Sequence, residues 1–69
     1  MVEVFRTNVE KEFQAKIIVA FLKQQFPGSR VNFDLDDCDR ILRVEGHQVC
    51  PVRITGLLQE KGFHCMALE

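Results

Sequence analysis

Arg30-Val31-Asn32-Phe33-Asp34-Leu35-Asp36-Asp37-Cys38-Asp39-Arg40-Ile41-Leu42-Arg43-Val44-Glu45 is the stretch that decides the fold. Residues 30–36 alternate strictly: Val31, Phe33 and Leu35 point one way, and Asn32, Asp34 and Asp36 the other. Residues 40–45 place Leu42 and Val44 on one face. A two- or four-residue loop centred on Asp37-Cys38 pairs Val31 with Val44, Phe33 with Leu42 and Arg30 with Glu45. Apolar meets apolar and plus meets minus, so an antiparallel hairpin is self-consistent in this register.

Upstream, residues 2–7 form a short strand rich in Val and Phe. Thr7 and Glu10 have the spacing of a capping box, and the acidic Glu10 and Glu12 suit a helix N-terminus. The spacing predicts a helix over 9–25. Its inward stripe is Phe13, Ile17, Ala20, Phe21 and Gln24, widened by Ile18, Leu22 and Gln25. Pro27-Gly28 stops it. Downstream, Gly46-His47 is a turn and Pro51 opens a second helix with Ile54, Leu57 and Leu58 inward. Gly62 ends that helix, and a last strand covers 63–68. No repeat, linker or low-complexity segment interrupts the 69 residues, which read as one domain, 1–69.

The order βαββαβ gives an α+β, ferredoxin-like two-layer sandwich. Its four-stranded antiparallel sheet is expected in the order 4-1-3-2. Both helices are expected on one face, because their apolar stripes need a common partner. Phe5, Thr7, Val31, Phe33, Leu42, Val44, Phe63, Cys65 and Ala67 then turn toward the helices. The other face shows Val2, Val4, Ile41, Met66 and Leu68 beside Arg6, Arg43, Asn32, Asp34 and His64. An apolar patch of that kind marks a contact surface for a protein partner or a second copy. Val2, Val4, Arg6, Ile41, Arg43, Met66 and Leu68 are its candidate residues.

In this setting the chain resembles a heavy-metal-associated domain of the copper-chaperone type. The resemblance rests on Phe5-Arg6-Thr7-Asn8-Val9, the first helix, Pro27-Gly28, the hairpin 31–45, Gly46 and Gly62-Phe63, in order along nearly the whole chain. It implies a Cys-x-x-Cys pair in the loop after the first strand, where two thiolates hold Cu(I) or Zn(II). Matching Val9 to the family's apolar loop position puts Lys11 and Gln14 where the cysteines belong. Counting back from Pro27 puts Glu12 and Ala15 there. Neither choice supplies a thiol. A lysine ammonium has no lone pair at neutral pH, and a glutamine amide is a weak, hard ligand. The loop is therefore expected to bind no soft metal, and no cofactor is expected.

The three cysteines, Cys38, Cys50 and Cys65, do not replace the pair. Cys38 belongs to the hairpin tip, at the first loop's end of the domain. Cys65 belongs to strand four, three strand spacings or roughly 14 Å away, and Cys50 lies at the other end. That is too far for one disulfide or one zinc. Cys65 reads as a small core residue. Cys38 is the alternative ligand, giving Cu(I) or Zn(II) one thiolate with a second supplied across a dimer.

Composition excludes other classes. Nine basic and ten acidic residues leave a net charge of -1, and there is no Tyr or Trp. Neither a basic face nor those stacking side chains is there for nucleic acid. No apolar stretch is long enough for a membrane span, and an odd cysteine count without paired spacing suits a reduced, cytoplasmic protein. The Asp34, Asp36, Asp37, Asp39 cluster lacks the glycine that a calcium loop needs at its sixth position. It reads as a solvated turn. Thr7 to Glu12 is acidic and glycine-free, so it makes a poor phosphate cradle of the acyl-phosphate-hydrolase kind. His47 and His64 fall at opposite ends. No nucleophile, base and orienting group converge, and the expectation is a non-enzymatic interaction domain.

Overall fold

The computed structural model describes residues 1–68. The order is β1 (Val2–Thr7), α1 (Glu12–Gln25), β2 (Arg30–Asp34), β3 (Ile41–Glu45), α2 (Pro51–Glu60) and β4 (Cys65–Leu68). The strands form one antiparallel sheet in the order β2-β3-β1-β4, which is 4-1-3-2 counted from the other edge. The hairpin register is the one the alternation requires: Arg30 opposite Glu45, Val31 opposite Val44 and Phe33 opposite Leu42.

The connection is longer than a two- or four-residue loop. It takes residues 35–40, because Asp37 accepts the amides of Asp39 and Arg40 in a turn instead of extending the ladder. The Asp39 amide donates to Asp37 Oδ1 at 2.8 Å, and Arg40 closes the turn at φ 48. That is left-handed backbone, uncommon outside glycine. The Arg40 guanidinium donates to the Leu35 carbonyl at 2.9 Å and braces the tip.

One buried cluster unites β-strand residues Phe5, Val31, Leu42, Val44 and Cys65 with Ala15, Ile18 and Leu22 of α1 and Ile54 and Leu58 of α2. Val9 and Val49, both in loops, are buried with them. Ala67 does not join this core; it is exposed near the sheet margin, while Phe33 and Phe63 are half-buried.

Two expectations for α1 fail together. The helix starts at Glu12, and Val9 is a buried loop residue outside it. The buried stripe is Ala15, Ile18 and Leu22, while Phe13 and Ile17 are 62% and 58% exposed, with Ala20 and Gln24 beside them. At about 100° per residue these four centre on the side of the helix opposite the Ala15, Ile18 and Leu22 stripe. The two apolar stripes compete, and burying Val9 and Ala15 fixes the rotation that leaves Phe13 outside. Phe13→Ser should therefore change stability by no more than about 0.5 kcal/mol, as surface substitutions do. Urea denaturation checks this, and a loss of about 2 kcal/mol would return Phe13 to the core.

At the end of α2, Gly62 has φ 91. Its amide reaches the Gln59 carbonyl, and the Phe63 amide the Leu58 carbonyl, both at 3.0 Å. This double closure needs a left-handed residue, which glycine supplies without a Cβ penalty. It turns the chain directly into β4.

Candidate interaction surface

The loop of residues 8–11 is held by side chains from β1 outward. The Thr7 hydroxyl donates to the Arg40 carbonyl at 2.6 Å and accepts the Val9 amide at 3.3 Å. The Thr7 amide donates to the Asp39 carbonyl at 3.1 Å. Asn8 Oδ1 accepts the His64 amide at 2.9 Å. Thr7-Asn8 thus ties three segments together, and Thr7 is not the cap of α1. Lys11 holds that position. Gln14 Oε1 accepts the Lys11 amide at 3.2 Å, the return half of a capping box, whereas the Lys11 ammonium has no acceptor to complete the other half. Glu10 takes no part.

Lys11 and Gln14 are therefore the N-cap and third residues of α1, with Gln14 used by the backbone. Glu12 is exposed at the first helical position, and Ala15 is 6% exposed in the core. In neither alignment do the two side chains fit a soft cation: one pair offers an ammonium and an engaged amide, the other a carboxylate and a methyl group.

Cys38 and Cys50 are exposed free thiols, and Cys65 is a buried one. Ligand atoms of Asp37, Cys38 and Asp39 lie within 4.8 Å of one another. One oxygen of each carboxylate is already engaged: Asp37 Oδ1 accepts the Asp39 amide, and Asp39 Oδ1 pairs with Arg6 Nε at 3.4 Å. That ion pair is solvent-exposed, so it contributes at most about 1 kcal/mol.

Burial pushes the Cys65 thiol up from 9.0 to about 11, a rise partly offset by its hydrogen bond with Thr55. The folded chain then holds this proton more tightly than the unfolded chain. Its contribution to stability is complete below about pH 9 and lost as the pH rises toward about 11. Denaturation midpoints across that window should fall more steeply for the natural chain than for Cys65→Ala. A thiol reagent at neutral pH should modify Cys38 and Cys50 rapidly and Cys65 only on unfolding.

The sheet face turned away from the core carries all seven candidate contact residues, and the register shows how they are arranged. Across one row run Asn32, Arg43, Val4 and Leu68; across the next run Asp34, Ile41, Arg6 and Met66. Val2 sits beside Glu45, which sits beside Arg30. Val2, Val4, Met66 and Leu68 therefore gather on β1 and β4. Arg30, Asn32, Asp34, Arg43 and Glu45 occupy β2 and β3. Ile41 is set apart, directly across from Arg6. Val2 and Met66 are 50% and 61% exposed, while Val4, Ile41 and Leu68 are half-buried. Alternation in the sequence identifies these residues but not their segregation, which depends on strand order.

An open groove of about 1000 Å³ lies between α1 and β2, lined by Lys16, Val19, Lys23, Phe33, Leu35 and Asp36 among others. Its charges are mixed. Among the described residues, no helix is long and apolar enough to cross a membrane. No protein-family model matches the chain, and neither a characterised protein nor a solved structure matches it significantly.

Proposed function

We propose that this chain is a non-enzymatic interaction domain on a ferredoxin-like frame of the heavy-metal-associated type, with both helices over one sheet face and the opposite face used for protein contact. The single buried cluster shared by both helices and alternate strand residues supports that placement. The observation that carries the contact reading is the gathering of Val2, Val4, Met66 and Leu68 on β1 and β4, bordered by Arg6 and Arg43. An apolar centre with an arginine rim is the usual anatomy of a protein-binding patch. A photo-reactive residue at position 66 should give discrete adducts with a protein in cells. One at Val52, an isolated exposed residue on α2, should not. Equal labelling from both sites, or none from position 66, would end this reading.

A second reading keeps Cu(I) or Zn(II) binding by Cys38, favoured by the closeness of Asp37, Cys38 and Asp39. One thiolate with two hard oxygens makes a poor soft-metal site, so a second copy would have to supply another thiolate. Titration of the reduced protein decides it: binding tighter than micromolar that is lost in Cys38→Ser would support the metal, and no such binding removes it.

A further inference from the structure

β2 is an edge strand, paired with β3 on one side only. Its outer side presents unpaired backbone donors and acceptors, a template for another strand. The five residues Arg30–Asp34 read charge, apolar, amide, apolar, opposite charge. Laid antiparallel against itself about Asn32, this strand puts Arg30 opposite Asp34, Val31 opposite Phe33, and Asn32 opposite Asn32. Each polar residue meets a complementary one on the open face, and each apolar residue meets an apolar one on the core side.

Among the described residues neither charge closes a salt bridge, although Arg30 lies opposite Glu45 on β3. The one salt bridge among the described residues is Arg6–Asp39. Asp34 faces Ile41 on β3. Phe33 is only half-buried, and the open groove beside it leaves room for the Phe33 and Val31 of a second strand. A one-residue slip would set Val31 against Asn32 and turn one strand's apolar side outward. A two-residue slip would set Asn32 against Arg30 or Asp34 and lose both charge pairs. The other edge strand, β4, is shorter and carries no charge to fix a register.

We infer that β2 is a self-pairing edge, and that two copies of this chain join about a two-fold axis through Asn32 into one continuous eight-stranded sheet. The contact is isologous, so each pairing occurs twice. It uses backbone bonds for cohesion and the Arg30–Asp34 pairs for register. It involves none of the apolar patch on β1 and β4, so it stands or falls independently of the proposed contact function.

Sedimentation equilibrium across concentration, combined with charge reversal, tests it. The natural chain should dimerise reversibly. Arg30→Asp and Asp34→Arg should each weaken the dimer by roughly tenfold or more, because each reversal opposes like charges twice. The double variant R30D/D34R should regain the natural affinity. In a Cys38→Ser/Cys50→Ser background, Asn32→Cys should form an inter-chain disulfide on mild oxidation. Opposed residues in an antiparallel pair have Cα atoms about 4.5–5.5 Å apart, within disulfide reach. Gln48→Cys in the same background should not cross-link comparably. A chain that stays monomeric to millimolar concentration, a double variant no better than its singles, or equal cross-linking from positions 32 and 48 would each overturn the inference.

Discussion

Phe5→Ala is expected to destabilise the fold more than any surface substitution, by about 3–5 kcal/mol. Phe5 lies on the central strand β1, between Leu42 of β3 and Ala67 of β4, and is completely buried. Removing a buried phenyl ring costs about 3–5 kcal/mol, in lost transfer energy and in the cavity left behind. A domain of this length has a total stability of roughly 3–10 kcal/mol. One substitution thus takes away about a third or more of what holds the fold. A lowered urea midpoint would register it. Natural stability in Phe5→Ala would mean that β1 is not the centre of the core. Phe13→Ser, which removes even more hydrophobicity from the sequence, should be nearly silent. The contrast between these two phenylalanines measures how far packing, rather than composition, decides stability.

Lys11→Cys/Gln14→Cys is expected to create soft-metal binding at a loop where the natural chain has no thiol. The two positions are the N-cap and third residues of α1. The Lys11 amide and the Gln14 side chain already meet at 3.2 Å, so the positions are neighbours in space. Thiols there would feel the positive end of the helix, which lowers their pKa and favours the thiolate. Two thiolates on neighbouring positions suit Cu(I). Competition against a Cu(I) chelator, in a Cys38→Ser/Cys50→Ser background, should show one ion per chain for the double variant and none for its parent. Glu12→Cys/Ala15→Cys is the companion variant. Ala15 is buried, so a thiol at that position should be held inside and give weaker binding. Equal failure of both pairs would count against the heavy-metal-associated resemblance itself.

The hairpin was legible because each of its pairings is reinforced across the strands, with Arg30 facing Glu45 and Phe33 facing Leu42. The end of α2 was legible because Gly62 is required by a left-handed backbone. The rotation of α1 was not. Phe13-Ile17-Ala20 and Ala15-Ile18-Leu22 are both apolar and both helical in spacing, and only the tertiary position of Val9 chooses between them. The start of α1 was misplaced for a related reason. Thr7 and Glu10 have the spacing of a capping box, but the Thr7 hydroxyl is drawn to the Arg40 carbonyl, a partner 33 residues away. No local pattern announces that bond. Of the contact surface, its members could be read from alternation. Its division into an apolar half and a charged half required knowing which strands are neighbours.

That division has a consequence for valency. In a sheet doubled through β2, the charged halves meet in the middle and the two apolar halves lie at the outer margins. Counting strand spacings of about 4.8 Å, their centres fall roughly 30 Å apart. A partner carrying two matching segments on a tether of suitable length would engage both, and the second engagement would be intramolecular. Its effective concentration would then be set by the tether, and avidity could exceed either single affinity by about 10²–10⁴. A weak patch of four apolar side chains would be enough for firm binding to a repeated partner, while single copies of the same segment would leave quickly.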